Sequence, residues 1–484
     1  MSSLLRKAFD SEEFRHQGHQ LIDLLADYLA DIQNPETQQK VWNYIPPDEL
    51  FQQYTNDFQT GNLTNPIDFF KKIIDQSTHL HHPRYLGHQT STPLPLAALG
   101  ELISSFLDVG MGVYEQGNAG TVLEKLIIQV LAEKMGMPIP KAEGFLTSGG
   151  TLGNLTALLC ARAVMVNDDV WENGYDGKKY AFLVSEEAHY SVDRAMRVMG
   201  QGKTGLIKIP SNDQYQIDTS QLPQCYEEAK ANRIQIIGVI ANACSTAVGA
   251  HDNIHALADF CEAKKIWLHV DAAHGGGLLF SKKYRHLLNG IERADSVILD
   301  FHKMLLTPSL VTAVIFKNGN HSYQTFAQRA DYLWANSESR EWYNLAKRTF
   351  ELTKTTMSIR IYTVLKTYGE VVFTEYIDRQ YDLGQTFAQL IEADGNFIMP
   401  VAVPESNIVC FRFLPDDFEK MSDEIIDQLN LKIRERVIQD GEYFIVQTRV
   451  RGKVFLRVTL VNAFTSEKDL LRLLEKIKTI ATNG

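Results

Sequence analysis

Four polar features of the sequence fall at the ends of short apolar runs, where a buried chain has little use for them. "DFHKM", Asp300 to Met304, places His302 and Lys303 between two strand-like segments. A lysine held near other cations and away from water has a lowered pKa and becomes an amine nucleophile toward a carbonyl. His302 beside it would donate to an anion or sit over a turn. Asp271, in "LHVDAAHGG", puts a carboxylate just past an apolar run, and Ala272, Ala273, Gly275, Gly276 and Gly277 clear space around it. His189 stands in "SEEAHYSVDRA". In "TSGGTLGN", Thr147 to Asn154, adjacent glycines lead into a helix whose free amides make an anion site. That turn has neither the lysine of a P-loop nor the glycine spacing of a dinucleotide turn.

Each feature alone has a plainer reading: a helix cap, a packing histidine, or a lysine that snorkels to water. Together they meet one chemical demand, a phosphorylated pyridine aldehyde. Glycine amides and hydroxyls hold its phosphate, a histidine covers one ring face, and a carboxylate keeps the ring nitrogen protonated. The lysine carries it as a Schiff base, making an electron sink for bonds at a substrate's α carbon.

Such a site needs elements that end together. From about residue 81 to 370, helical periodicity alternates with short strands that are apolar on both faces. Helices are predicted at Thr151–Val164, Ser191–Met199 and Asn253–Ala263. Strands are predicted at Tyr180–Val184, Leu206–Ile209, Ile234–Ala243, Ile266–Val270 and Ser296–Leu299. This pattern predicts an α/β fold, a mostly parallel sheet covered by helices, with ligands beyond the carboxyl ends of the strands. Residues 1–80 read as a helical segment that needs another surface to cover it. A helix starts at Ser11 behind Asp10 and Glu13, and a polar, proline-containing stretch runs from Asn34 to Asn65. Residues 371–484 read as a smaller α+β domain: a strand at Ile408–Phe413, a helix at Ser422–Val437, strands at Tyr443–Arg449 and Lys453–Leu460, and a terminal helix.

The chain has 484 residues, 44% hydrophobic, with a formal charge of −11. That balance argues against a nucleic-acid surface. Five cysteines without short spacing make neither a zinc knuckle nor a disulfide framework, and a reducing cytoplasm is the expected setting. The N-terminus turns acidic before a signal-peptide core can form, and no run is long enough to span a membrane. His79, His81, His82 and His88 lack a cysteine or carboxylate to complete a ligand set, so no metal site is expected.

Six segments in order resemble the pyridoxal-phosphate-dependent group II amino-acid decarboxylases: "HPRYLGHQ", "TSGGTLGN", "SEEAHYSVDRA", "HVDAAHGGG", "RADSVILDFHKM" and "FLRVTLVNAFTS". The resemblance implies a type I PLP-dependent transferase fold and pyridoxal 5'-phosphate bound to Lys303. By it, Asp271 pairs with the ring nitrogen, His189 stacks on one ring face and Ala273 packs on the other. Gly150, Thr151 and His302 contact the phosphate, and Thr246 lies near the 3'-oxygen. Arg457 receives the substrate's α-carboxylate. Tyr332, in "RADYLWANSESREW", falls on the family's mobile loop as the acid that returns a proton to the α carbon. The resemblance also implies a homodimer with sites at the subunit interface.

The chain departs from many relatives at Asp300, where an asparagine is common. A carboxylate there would repel the phosphate, so its side chain is expected to turn away or pair with an arginine. His274 and Cys244 are further departures. Around the mouth, His88, Gln89 and Glu115 make a polar set that favours a polar or charged substrate side chain, with Glu115 leaning toward a cationic one. Two other readings stay open: an aldehyde synthase, lyase or aminotransferase on the same fold, and an inactive homologue serving as a structural partner.

Overall fold

The computed structural model describes residues 3–63, 65–166, 170–175, 177–326 and 341–482. Two compact units are separable: Met1–His88 with Thr386–Pro400 and Cys410–Gly484, and Gln89–Gln385 with Val401–Val409.

The first unit opens with α1 (Ser3–Ala8), α2 (Ser11–Ile32), α3 (Pro47–Gln59) and α4 (Pro66–Asp75). Asp10 caps α2 as its spacing predicts, accepting from the amides of Glu12 and Glu13 at 2.9 Å each. Helix α3 falls within the polar, proline-containing stretch of residues 34–65. Pro47 stands at the helix entry, where the missing N–H costs nothing, and Asp48 and Glu49 face the positive end of the dipole.

The second unit begins with α5 (Pro95–Leu107) and α6 (Tyr114–Met135), then builds a seven-stranded sheet. Its strands are β1 (Glu143–Thr147), β2 (Lys179–Ser185), β3 (Leu206–Ile209), β4 (Ile234–Asn242), β5 (Trp267–Asp271), β6 (Ser296–Asp300) and β7 (Thr312–Phe316). They lie in the order β1-β7-β6-β5-β4-β2-β3. The pairs from β6 through β3 are parallel, and β7 is antiparallel to both β6 and β1. The mostly parallel α/β sheet is therefore the one expected. The helices α7 (Gly150–Met165), α8 (Val170–Asn173), α9 (Tyr190–Val198), α10 (Leu222–Ala231), α11 (Ile254–Lys264), α12 (Asn320–Phe326), α13 (Ser358–Tyr368) and α14 (Val371–Ala393) complete this part of the chain.

Helix α7 is buried along most of its length because it packs on the sheet. Ala157, Leu158 and Ala161 join Phe182, Ile240, Trp267, Ile298 and Val314 in one core. Each large side chain fully buried there stabilises the fold by about 1.5–3 kcal/mol. Strands β4, β5 and β6 end at Asn242, Asp271 and Asp300, and pair in parallel, so the loops that follow them gather at one edge.

The chain then returns to the first unit. Its four-stranded sheet runs β10-β11-β9-β8, from β8 (Phe397–Ile398), β9 (Ile408–Phe413), β10 (Val446–Val450) and β11 (Lys453–Thr459), accompanied by α15 (Asp423–Asp440) and α16 (Glu467–Thr482). Among the described residues, no helix is long and apolar enough to cross a membrane.

Candidate active site

Strand alternation sets the first part of the site. Trp267, His269 and Asp271 share one face of β5, the face that meets α7. Asn154, one turn into α7, donates from Nδ2 to Asp271 Oδ2 at 2.8 Å and to Ser191 Oγ at 3.0 Å. Its Oδ1 lies 2.9 Å from His269 Nε2, and His269 Nδ1 lies 2.8 Å from Ser296 Oγ. Ser296 Oγ also accepts the Trp267 indole N–H at 2.8 Å. These partners set the proton directions. The Ser296 hydroxyl donates to His269, His269 donates to Asn154, and Asn154 donates to Asp271. Burial pushes His269 down to about 4, although Asp271 opposes the shift, so the ring is a neutral relay at neutral pH. The other Asp271 oxygen accepts the Ala273 amide at 3.1 Å.

His189 caps α9. Its Nδ1 accepts the Ser191 amide at 3.3 Å and lies 2.7 Å from Ser191 Oγ, which leaves the ring proton on Nε2. Burial is the main cause holding His189 below the ordinary histidine range. Asp271 and Asp300 raise it, while Lys303 and Arg194 lower it further. These opposed influences place His189 in the field of Asp271, Lys303 and Asp300 together.

Asp300 ends β6 opposite Thr312 of β7. Its Oδ2 lies 3.2 Å from Lys303 Nζ and 3.6 Å from His302 Nε2, and its Oδ1 accepts the Thr312 hydroxyl. The expected arginine partner, or a side chain turned away, is therefore corrected: Asp300 is buried and pairs with the lysine and histidine beside it. His302 Nδ1 is tied to the backbone of Val311, 2.9 Å from its O and 3.1 Å from its N.

The glycine turn adjoins this cluster. Gly149 has φ +107°, a conformation that side-chain-bearing residues rarely adopt. At Gly150 an added Cβ would lie 3.1 Å from Asp300 Oδ2, so the helix start and the strand end approach closely enough that any side chain would press on the carboxylate. The turn's donors already meet an anion, since Ser148 donates from N and Oγ to the Glu351 carboxylate. Thr151 follows, exposed on the first turn of α7. Thr246 lies in the loop after β4. That loop is fixed by the Ala243 amide on Asp271 O at 2.8 Å and the Gly275 amide on Ala243 O at 2.9 Å. Cys244, in the same loop, has its thiol pushed up to about 12 by burial, partly offset by the charge of Lys303. His274 turns from the site to Asn407, with Nε2 2.7 Å from Oδ1.

These residues fit a phosphorylated pyridine aldehyde. They supply an amine, a carboxylate with both oxygens fixed, a neutral ring, and a helix start trimmed to glycine. Asn154, Ser191 and His269 were not singled out from sequence. The i, i+2 spacing of His269 and Asp271, and the one-turn spacing of Gly150 and Asn154, carried that signal.

Gln89 is partly buried, and Glu115 is exposed on the first turn of α6. In the first unit His88 donates its amide to Tyr85 Oη at 3.2 Å and packs against Phe444. Burial holds its ring below the ordinary range, and the Arg457 and Arg434 charges lower it further. Arg457 stands on β11 opposite Val446 and is 7% exposed. Arg434 is half-buried on α15, and its Nε has no hydrogen-bond partner among the described residues. Tyr332 lies outside the described residues. His79 and His82 are engaged in packing bonds, with Tyr28 Oη and Gln39 O at 3.1 and 3.2 Å. Among the described residues no three metal-ligating side chains cluster.

Residues 48–414 match the pyridoxal-dependent decarboxylase conserved domain. The chain is 28% identical over 480 residues to an aromatic-L-amino-acid decarboxylase of Bacillus atrophaeus, covering 97% of this chain and 96% of that protein. It is 28% identical over 430 residues to an L-2,4-diaminobutyrate decarboxylase of Acinetobacter baumannii, covering 86% and 82%. The fold resembles the crystal structure of mouse CSAD, with a TM-score of 0.90 at 23% identity over 98% of this chain and 99% of that one.

Proposed function

The chain belongs to the pyridoxal-dependent decarboxylase family, and from that premise we propose that it removes the α-carboxylate of an L-amino acid with a polar or charged side chain. It is a PLP-dependent amino-acid decarboxylase. What supports the residue roles is that Asp271 and Asp300 end neighbouring parallel strands, with Lys303 Nζ 3.2 Å from Asp300 and His189 linked to Asp271 through Ser191 and Asn154.

When bound, the cofactor draws electrons from the substrate's α carbon. In this reading Lys303 holds the aldehyde, and Asp271, oriented by Asn154 and Ala273, keeps the ring nitrogen protonated. His189 covers one ring face with a neutral imidazole, and Ala273 covers the other. Gly150, Thr151 and His302 hold the phosphate, Thr246 holds the ring's 3'-oxygen, Arg457 takes the substrate carboxylate, and Tyr332 returns the proton to the α carbon.

The side-chain preference rests on the polar residues His88, Gln89 and Glu115, since buried polar groups left unpaired reject an apolar substrate. Carbon dioxide release should therefore be faster with aspartate, glutamate or 2,4-diaminobutyrate than with tyrosine, and a faster rate with tyrosine would reverse the preference. Lys303→Ala should abolish turnover and the borohydride-fixed cofactor label. A label that persists would move the attachment to another lysine.

The working form in this reading is a cytoplasmic homodimer. Helix α5 buries Ala97, Gly100 and Ser104 on one side and leaves Leu99, Leu102, Ile103 and Phe106 exposed at helical spacing on the other. Such a stripe suits a second copy of the chain. Phe106→Glu should shift the protein to monomer in sedimentation, and an unchanged mass would place the interface elsewhere.

A further inference from the structure

Asp300 is the one site residue whose chemistry opposes its place. Its carboxylate stands beside the start of α7, where an anion would be received, and a Cβ on Gly150 would touch it. It is also immobile. The side chain is 2% exposed, Thr312 holds one oxygen, and the Asp300 amide donates to Ala273 O at 3.1 Å. The second oxygen serves Lys303 at 3.2 Å and lies 3.6 Å from His302. To swing out when a phosphate arrives, the carboxylate would have to give up its bonds to Thr312 and Lys303.

We propose that Asp300 is a positioning residue that acts as a built-in counter-anion. It holds Lys303 and His302 in place before the cofactor enters, and it weakens the grip on the cofactor's phosphate. The two effects come from one charge. The lysine amine, largely removed from water, needs a partner to stay ordered, and Asp300 is the carboxylate within reach. The phosphate brings further negative charge to the same low-dielectric corner, where like charges repel more strongly than in water. Asparagine keeps the shape and can still accept the Thr312 hydroxyl bond, but it removes the repulsion. The inference rests on the cofactor site described above.

The test is equilibrium binding to cofactor-free protein, followed by absorbance, with pyridoxal phosphate, pyridoxal and inorganic phosphate. Asp300→Asn should bind pyridoxal phosphate about tenfold tighter, with pyridoxal changed by less than about twofold. Inorganic phosphate should raise the melting temperature of the variant more than that of the wild type. Without ligand, the variant should melt lower because Lys303 has lost its partner. Equal or weaker pyridoxal phosphate binding by a natively folded variant overturns the proposal, and so does an equal gain for pyridoxal. Asp300→Ser carries the same expectations. If neither variant folds, the carboxylate is structural and the proposal fails. Should the wild type instead link the cofactor to a lysine other than Lys303, the underlying site reading fails, and the binding comparison remains a separate result.

Discussion

At the scale of single residues, the site depends on side chains that never face a substrate. Asn154 uses both ends of its amide, and its neighbours fix which end is which. Asn154→Ala would remove a donor from Asp271 and an acceptor from His269, both buried. Leaving such groups without partners costs about 1–3 kcal/mol each. The variant should therefore lose about 2–6 kcal/mol of stability in urea unfolding, and it should bind pyridoxal more weakly. Unchanged urea stability would mean that water replaces the amide at no cost. Asp300 teaches a related lesson. Its sequence neighbours suggested a conflict with phosphate and an arginine partner, whereas the fold sets it against Lys303 and His302 beside it.

At the scale of elements, a buried ion pair joins three of them. Glu124 on α6 and Lys354, in the segment before α13, lie 2.5 Å apart with side chains 1% exposed. The same Glu124 oxygen accepts the Leu146 amide of β1, and Lys354 also donates to Leu146 O. Removing one partner strands a buried charge, which costs about 3–5 kcal/mol. Lys354→Met should show that loss in chemical denaturation. The double variant Glu124→Gln, Lys354→Met should recover part of it, and additive losses would refute the coupling. Among the elements, α2, β3 and β9 are legible in sequence because one cap or one apolar run defines each. Helix α3 was not, because a proline at a helix start and a proline in a loop look alike until the chain beyond it is placed. Likewise β7 reads as a buried strand, but its antiparallel direction depends on the tight return from β6 through residues 301–311.

At the scale of the whole molecule, buried neutral histidines set the acid limit. In the unfolded chain histidines take up protons near 6.5, whereas the folded chain holds His269 down to about 4 and His251 to about 3, both chiefly by burial. Between those values the unfolded state binds more protons, so stability falls as pH drops from about 6.5. Over the fall from pH 6.5 to 4 each of these two rings accounts for roughly 3 kcal/mol. Asp252 works the other way, because burial raises it to about 6 and the folded state then takes its proton first as pH falls. His81 and His82, also held down to about 4 chiefly by burial, add to these rings and outweigh Asp252 and Asp295, which burial raises, so the urea midpoint should drop between pH 6.5 and 4. A flat profile across that range would show that these rings protonate in place.

The sequence by itself determined the class of cofactor chemistry and the mostly parallel sheet. An amine, a carboxylate, a ring and a glycine turn at strand ends are local patterns, and apolar strands between helices leave few ways to cover both faces. Only the tertiary structure decided which groups share a proton or a charge. Asn154 reaches Asp271 and His269 from another element, and Asp300 reaches Lys303 because Gly150 leaves room for it. Hydrogen bonds and ion pairs act over a few ångströms, and the chain positions that come within that range are set by packing, not by spacing along the chain.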